Sequence, residues 1–264
     1  MKSPIVFRAA FGLLVASLLG ILNLAESASA SEEACPHHLY QVQLFSQDPL
    51  VVYIPDFITA EEAEHLEYIT RDKFTRSEVA DQYGNLMNAT TRTSRSTSVA
   101  SDPVVRCIES RALAFQGYDT PRSHLEPLQL VQYNVGEKYH AHTDWFEATS
   151  QTTAEFGGNR HSSFFVYVAA DEITGGGTNF PLLDAPKDER WCKFVNCDEP
   201  WDAGVTFRPI PRNAVFWQNL HKDGRGNRAT LHAGLPLTSG SKLGMNIWTR
   251  EKPLSPQYRS DGLN

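Results

Sequence analysis

Cysteine is scarce in this chain. Four in 264 residues are too few for a disulfide scaffold, though enough for one or two bridges. Basic charge is in deficit as well. The 24 Lys+Arg stand against 31 Asp+Glu, a formal net charge of −7. Nucleic-acid binders usually show the opposite balance, so that class is set aside. There is no internal repeat and no low-complexity tract, which excludes solenoids and arrays. Beyond the first thirty residues no apolar run is long enough to span a bilayer. What is present is a globular composition, with 41% hydrophobic and 21% charged residues. The length suits one large domain or two small ones with a full core.

The N-terminus reads as a leader. Lys2 and Arg8 precede an apolar stretch, 9–25, interrupted only by Ser17 and Asn23. Ala28 and Ala30 then supply the small-x-small pattern of a signal-peptidase site. Residues 1–30 are therefore expected to be a secretory signal cleaved after Ala30. The alternative is an uncleaved anchor, giving a single-pass type II membrane protein. At about 17 residues the stretch is at the short limit for spanning. The destination is the endoplasmic reticulum lumen or the exterior, both oxidising. The C-terminal Ser260-Asp261-Gly262-Leu263-Asn264 is not a Lys-Asp-Glu-Leu-type retention signal.

In such a compartment Cys192 and Cys197 bracket a short loop that a disulfide can close, and Cys35 and Cys107 would be the other pair. Four cysteines allow three pairings. A four-cysteine zinc site is the rival reading, disfavoured because Cys35 and Cys107 lack close partners. Asn88 opens Asn-Ala-Thr, a glycosylation acceptor in a polar, surface-loop-like stretch.

The chain changes character midway. Residues 51–54 read as a strand. Thr59-Ala60-Glu61-Glu62 is a capping box, and the helix it opens places Ala63, Leu66 and Ile69 on one face. Residues 74–98 are polar. Asp102-Pro103 starts a second helix, with Val104, Ile108, Leu113 and Phe115 as its buried side. After Pro127 short β-branched and aromatic runs dominate, at 128–133, 163–168, 204–207, 214–218, 229–235 and 242–249. Such runs, punctuated by Gly, Pro and Asn, predict a sandwich or barrel.

One constellation in this half carries chemistry. His142 and Asp144 lie two apart on extended backbone and so point to one side. A third ligand is needed, and His232 is the best candidate. It alternates with apolar residues in the run 229–235, on the polar side with Thr230 and Gly234. Two histidines and one carboxylate make the facial triad of non-haem Fe(II) oxygenases, which leaves coordination positions open. Ten residues on, Lys242 follows a turn-like 236–240. A hairpin centred on Thr238 would pair Lys242 with Gly234 and bring the ammonium to the face of His232. Trp248, an even six residues beyond Lys242, would share that face.

These motifs together resemble the catalytic domain of prolyl 4-hydroxylase alpha subunits, within the Fe(II)/2-oxoglutarate dioxygenases. The matching text is Tyr133 through Tyr139-His140-Ala141-His142-Thr143-Asp144, then Gly175-Gly176-Gly177-Thr178-Asn179-Phe180-Pro181. Ala214-Val215-Phe216-Trp217, Thr230-Leu231-His232-Ala233-Gly234 and Gly240-Ser241-Lys242 follow. The resemblance implies an α+β fold, a double-stranded β-helix (jelly roll) with supporting N-terminal helices. It divides the chain into a leader (1–30), an α/β supporting region (31–126), the dioxygenase domain (127–252) and a tail (253–264). It implies Fe(II) on His142, Asp144 and His232, with ascorbate as a further cofactor. It puts 2-oxoglutarate on Lys242, in a pocket lined by Tyr133, Thr178 and Trp248. Arg160, Tyr139 and Arg250 become substrate-binding candidates, and 91–96 matches a mobile loop over the peptide groove. The implied reaction consumes O2 and 2-oxoglutarate and hydroxylates a proline-containing peptide.

Departures from the family pattern are Leu243, Leu235, Asn227 and Arg250, where many relatives have Trp, Cys, Asp and His. Residues 145–161 and 182–202 read as insertions. Arg160 and Arg250 together would favour an acidic or carbonyl-rich substrate path. Two other readings stand beside this one. The same chemistry on a lysyl side chain, free amino acid or small metabolite is one. A non-catalytic metal-binding jelly-roll module is the other. No nucleic-acid partner is expected, and membrane contact only with an uncleaved leader.

Overall fold

The computed structural model describes residues 35–80, 86–87, 90–117 and 120–259. The leader and the Asn88 acceptor lie outside the described residues. The chain runs through β1 (Gln43–Gln47), β2 (Leu50–Ile54), α1 (Ala60–Thr70), β3 (Thr75–Arg76), β4 (Val79–Ala80), β5 (Leu86–Met87), β6 (Arg95–Ser98) and α2 (Pro103–Gln116). It continues through β7 (Gln129–Tyr133), β8 (Tyr139–His142), β9 (Arg160–Gly175), β10 (Thr178–Phe180), β11 (Val205–Phe207), β12 (Ala214–Gln218), β13 (His232–Gly234) and β14 (Leu237–Arg250). An eight-stranded sheet, β1-β2-β12-β9-β14-β7-β6-β3, faces a four-stranded sheet, β11-β10-β13-β8. This is the jelly-roll architecture expected.

Strand alternation divides the large sheet's two faces. Val52, Ile54, Leu130, Phe164, Val166, Phe216, Leu243, Met245 and Ile247 share one core with Leu66 of α1 and Ile108 of α2. Their neighbours in sequence, Val51, Tyr53, Phe165, Tyr167, Val215 and Trp217, turn to the other side and pack with Phe180, Val205 and Phe207 of the small sheet. β2, β12 and the first half of β9 are thus buried on both faces, which is why their text is a nearly continuous apolar run.

The helices start where the sequence places them. Thr59 accepts from Glu62 N at 3.1 Å while Glu62 Oε2 accepts from Thr59 N at 2.9 Å, closing the capping box. Asp102 caps Val105 N at 2.9 Å with Pro103 in the first turn. The buried side of α2 is Val105, Cys107, Ile108, Glu109 and Ala112, with Val104, Leu113 and Phe115 at its margin rather than its centre. Disulfides join Cys35 to Cys107 and Cys192 to Cys197. The first ties residue 35 to α2. The second lies within 182–202, where Trp191 and Phe194 pack on the inter-sheet core.

Two local expectations are corrected. The run 229–235 is not one strand. Arg228–Thr230 is a 3-10 turn capped by Asn227, whose side chain accepts from Ala229 N at 3.0 Å, and only His232–Gly234 is extended. The hairpin between His232 and Lys242 does not form either. Gly234 pairs with Thr178 and Tyr139 in the small sheet, whereas Lys242 pairs with Tyr133 and Ala170 in the large one. The turn-like Thr238-Ser239-Gly240 is an irregularity inside β14. Gly240 has φ 73°, and a Cβ there would lie 2.1 Å from Asp171 O. A glycine that resembles a turn signal is here the bulge that lets β14 follow β9.

Candidate active site

The metal-ligating set is assembled by strand pairing. His232 of β13 sits directly opposite His142 of β8, their rings 4.3 Å apart. Asp144 follows two residues beyond His142, just past the strand's end. Asp144 Oδ1 is 3.8 Å from His142 Nε2, and Oδ2 is 3.9 Å from His232 Nε2. One ligand atom from each residue falls within 4.8 Å of the others. Each histidine turns Nδ1 to a backbone carbonyl, His142 to His140 O at 2.8 Å and His232 to Thr230 O at 2.9 Å. A carbonyl only accepts, so Nδ1 carries the proton and the Nε2 lone pair is left for a metal.

The electrostatics agree with a ligand role. Burial pushes His142 well below its usual range, and the neighbouring His232 adds to this. Burial alone would raise Asp144, but His232, His142, Arg160 and the Ser163 hydrogen bond hold it below the usual carboxylate range. A neutral imidazole and an ionised carboxylate are the forms that bind metal. Asp144 Oδ2 also accepts from Ser163 Oγ at 2.7 Å and Trp248 Nε1 at 3.0 Å, and Asn219 Nδ2 donates to Ser163 at 2.9 Å. This outer layer turns the carboxylate toward the histidines.

The three ligands open onto a cavity of about 650 Å³ between the sheets. Tyr133, Phe165, Thr178, Asn246 and Trp248 line it with them. Next to Tyr133 and Phe165 of this lining lies Lys242, 1% exposed, its ammonium 4.4 Å from the Tyr133 ring centroid and 5.6 Å from that of Phe165. Nζ donates to Gly176 O at 2.5 Å. Among the described residues no carboxylate pairs with it. A buried cation without a counter-ion is costly unless a ligand supplies one. Burial accordingly lowers its pKa to about 7. Lys242, Asn246 and Trp248 share a face of β14 by even spacing, so that parity expectation matches although the hairpin argument does not. Thr178 Oγ1 accepts from Tyr167 at 2.8 Å, and burial raises Tyr133 to about 12.

Two arginine–aromatic pairs flank the opening. Tyr139 stacks on His142 at 3.6 Å, with the Arg92 guanidinium 4.7 Å above its ring. Arg160 lies 3.6 Å from the centroid of Trp248. Arg160 is also bound by both oxygens of Glu126, at 2.7 and 2.8 Å. Arg250 is corrected as a substrate candidate. It does not line the cavity; it is buried, donating to Glu126 Oε1 at 2.6 Å and to the carbonyls of Gly158 and Gln151. One carboxylate, Glu126, thus stands between the two arginines and takes up part of the charge on which the expected preference for an acidic or carbonyl-rich substrate was based.

Arg92, Gln129, Ser163, Phe165 and Asn246 also belong to the site, outside the residues the motifs single out. Alternation along 163–168 was a usable signal for Ser163 and Phe165. Nothing local marks Arg92, which reaches the site through its bridge to Tyr139. Within 91–96, Arg92 and Ser94 are buried rather than mobile-loop surface, and Arg92 donates to Gln129 Oε1 at 3.1 Å.

A profile of the 2OG-Fe(II) oxygenase superfamily matches residues 128–250, the span that holds all three ligands and Lys242. Prolyl 4-hydroxylase 5 of Arabidopsis thaliana is 29% identical over 236 residues, 88% of this chain and 78% of that protein. Prolyl 4-hydroxylase subunit alpha-3 of Mus musculus is 31% identical over 209 residues, 77% of this chain but 34% of that longer protein. The fold is shared with the viral collagen prolyl hydroxylase of Paramecium Bursaria Chlorella virus-1, solved as a 2OG complex. That match has a TM-score of 0.54 at 20% identity and covers 81% of this chain and 97% of that one.

Fold and site define a 2-oxoglutarate-dependent Fe(II) dioxygenase. The donor set, two imidazole nitrogens and one carboxylate on one side, fits Fe(II). The cofactors are Fe(II), 2-oxoglutarate as cosubstrate, and ascorbate. Within that class the relatives it resembles are named prolyl 4-hydroxylases.

Proposed function

We propose that this enzyme hydroxylates prolyl residues at C4 in peptides or proteins of the secretory pathway. The observation that carries the reading is the cavity itself. A His-Asp-His set lines it, and a buried lysine with no carboxylate partner among the described residues lies against Tyr133 and Phe165 of its wall. The relatives named prolyl 4-hydroxylases supply the substrate class. The leader and the two disulfides support the compartment.

His142, Asp144 and His232 would hold Fe(II), which with 2-oxoglutarate supplies the oxidising power for hydroxylating an unactivated carbon. Lys242 would give the distal carboxylate of 2-oxoglutarate a charge-assisted bond, beside Tyr133 and Phe165. Tyr139 and Trp248 offer apolar faces on either side of the metal set for a prolyl ring. Arg160, held over the Trp248 ring by Glu126, fixes that wall.

The test is incubation of the purified protein with Fe(II), 2-oxoglutarate, ascorbate and proline-rich peptides. Succinate release with hydroxylation mapped to proline C4 is the expected result. Oxygen found on lysine or on a small metabolite moves the substrate to the alternative class. Failure to turn over any peptide sinks the peptidyl reading. Localising the full chain with its leader intact tests the compartment.

A further inference from the structure

We propose that the segment 251–259 is a brace that positions the substrate-facing wall, with Arg259 as its principal positioning residue. This rests on the proposed peptide site. No residue of the segment lines the cavity. Its backbone nevertheless stitches together the two stretches that do the lining or hold the liners. Glu251 N donates to Asn159 O at 3.0 Å, Lys252 N to Gly157 O at 2.8 Å and Ser255 N to Glu155 O at 3.0 Å. Leu254 N donates to Ser123 O at 2.9 Å, on the other stretch. The Tyr258 ring packs on Phe156 at 4.4 Å.

Arg259 closes the arrangement. It is 1% exposed. Its NH1 donates to Leu125 O at 2.7 Å and more weakly to Glu126 O at 3.4 Å, while NH2 meets both oxygens of Glu109 on α2 at 2.8 and 2.9 Å. A guanidinium reaches two carbonyls and a carboxylate at once; an ammonium lacks that planar fork. The load passes outward from there. Glu126, fixed at its backbone, holds Arg160 with its carboxylate, and Arg160 covers Trp248. On the other stretch Asn159 pins Phe146 through N at 2.9 Å and O at 2.9 Å, and Phe146 faces the cavity and Arg160. The braced stretches, 122–126 and 153–159, hold only short 3-10 turns, and such stretches sit low in local stability unless tied.

The test compares Arg259→Ala with Tyr258→Ala in the full protein. Tyr258→Ala is the second variant because Arg259→Ala removes a partner from buried Glu109 and threatens folding as a whole. Amide hydrogen exchange is expected to rise about tenfold or more in 122–126 and 153–160, with 163–168 and 214–218 unchanged. KM for peptide is expected to rise roughly tenfold, with KM for 2-oxoglutarate and peptide-free succinate release within about twofold of wild type. Unchanged exchange in those stretches, an equal rise everywhere, or an unmoved peptide KM despite faster exchange overturns the brace. Wild-type protein that turns over no prolyl peptide overturns the proposed function instead, and exchange alone then decides the brace.

Discussion

Lys242 shows how much one residue's surroundings decide. Burial lowers its pKa to about 7, whereas in an unfolded chain it titrates near ~10.4. Between those values the unfolded state binds more protons, so the ligand-free protein gains stability as pH rises through this window and loses it as pH falls toward 7. A dicarboxylate against the ammonium reverses the shift. Binding of 2-oxoglutarate at pH 8 should therefore take up close to one proton, and its affinity should fall roughly tenfold per pH unit above about 7. Calorimetry in buffers of different ionisation enthalpy reads the proton directly. Uptake that persists in Lys242→Met would remove this assignment. Ser163 makes a second case. Ser163→Ala strips a hydrogen bond from Asp144 and should weaken metal binding by about 10- to 100-fold. Equal affinity in a Co(II) titration would mean that Trp248 alone holds the carboxylate. The ligand identities were legible at this scale because His-x-Asp on extended backbone is a local pattern. Arg250 was misjudged because its partner, Glu126, lies 124 positions away.

Elements divide by the range of the forces that make them. Both helix starts were legible, since a capping box and an Asp-Pro cap act within four residues. The β14 irregularity was not. Gly, Ser and Thr at 238–240 carry the same local text whether the chain turns back or bulges, and β9, paired along most of β14, decides between them. That leads to a sharp expectation for Gly240→Ala. The substitution adds a methyl 2.1 Å from Asp171 O at φ 73°, and should cost about 3 kcal/mol or more by combined strain and clash. Thermal melting checks it. Little loss would mean that β14 re-registers freely, against its pairing on both sides.

For the molecule as a whole, the site belongs to neither sheet alone. The triad lies on and beside the small sheet, and Lys242, Ser163 and Trp248 lie on the large one. Ligands that bridge them should clamp the barrel. With Fe(II) and 2-oxoglutarate each at ~100 times its dissociation constant, and air excluded, each ligand adds about 2.7 kcal/mol. For a domain of this size that raises Tm by roughly 5–10 °C. Lys242→Met should abolish most of the 2-oxoglutarate share while keeping that of the metal. An equal response in both proteins would show that the lysine does not hold the cosubstrate. Among the described residues no helix is long and apolar enough to cross a membrane.

By itself the sequence determined the chemistry-bearing residue types, the two helix starts, the double-sheet class and the family, because each is written in short-range text: caps, alternation and motif order. Only the tertiary structure decided that His142 faces His232 across two strands ninety residues apart, that Lys242 stands in the opposite sheet with no carboxylate partner among the described residues, and that Arg250 and Arg259 serve the frame. Those facts depend on which distant strands pair and on what each buried charge then meets. Such choices are made by the packing of the whole chain and leave no mark within any one segment of it.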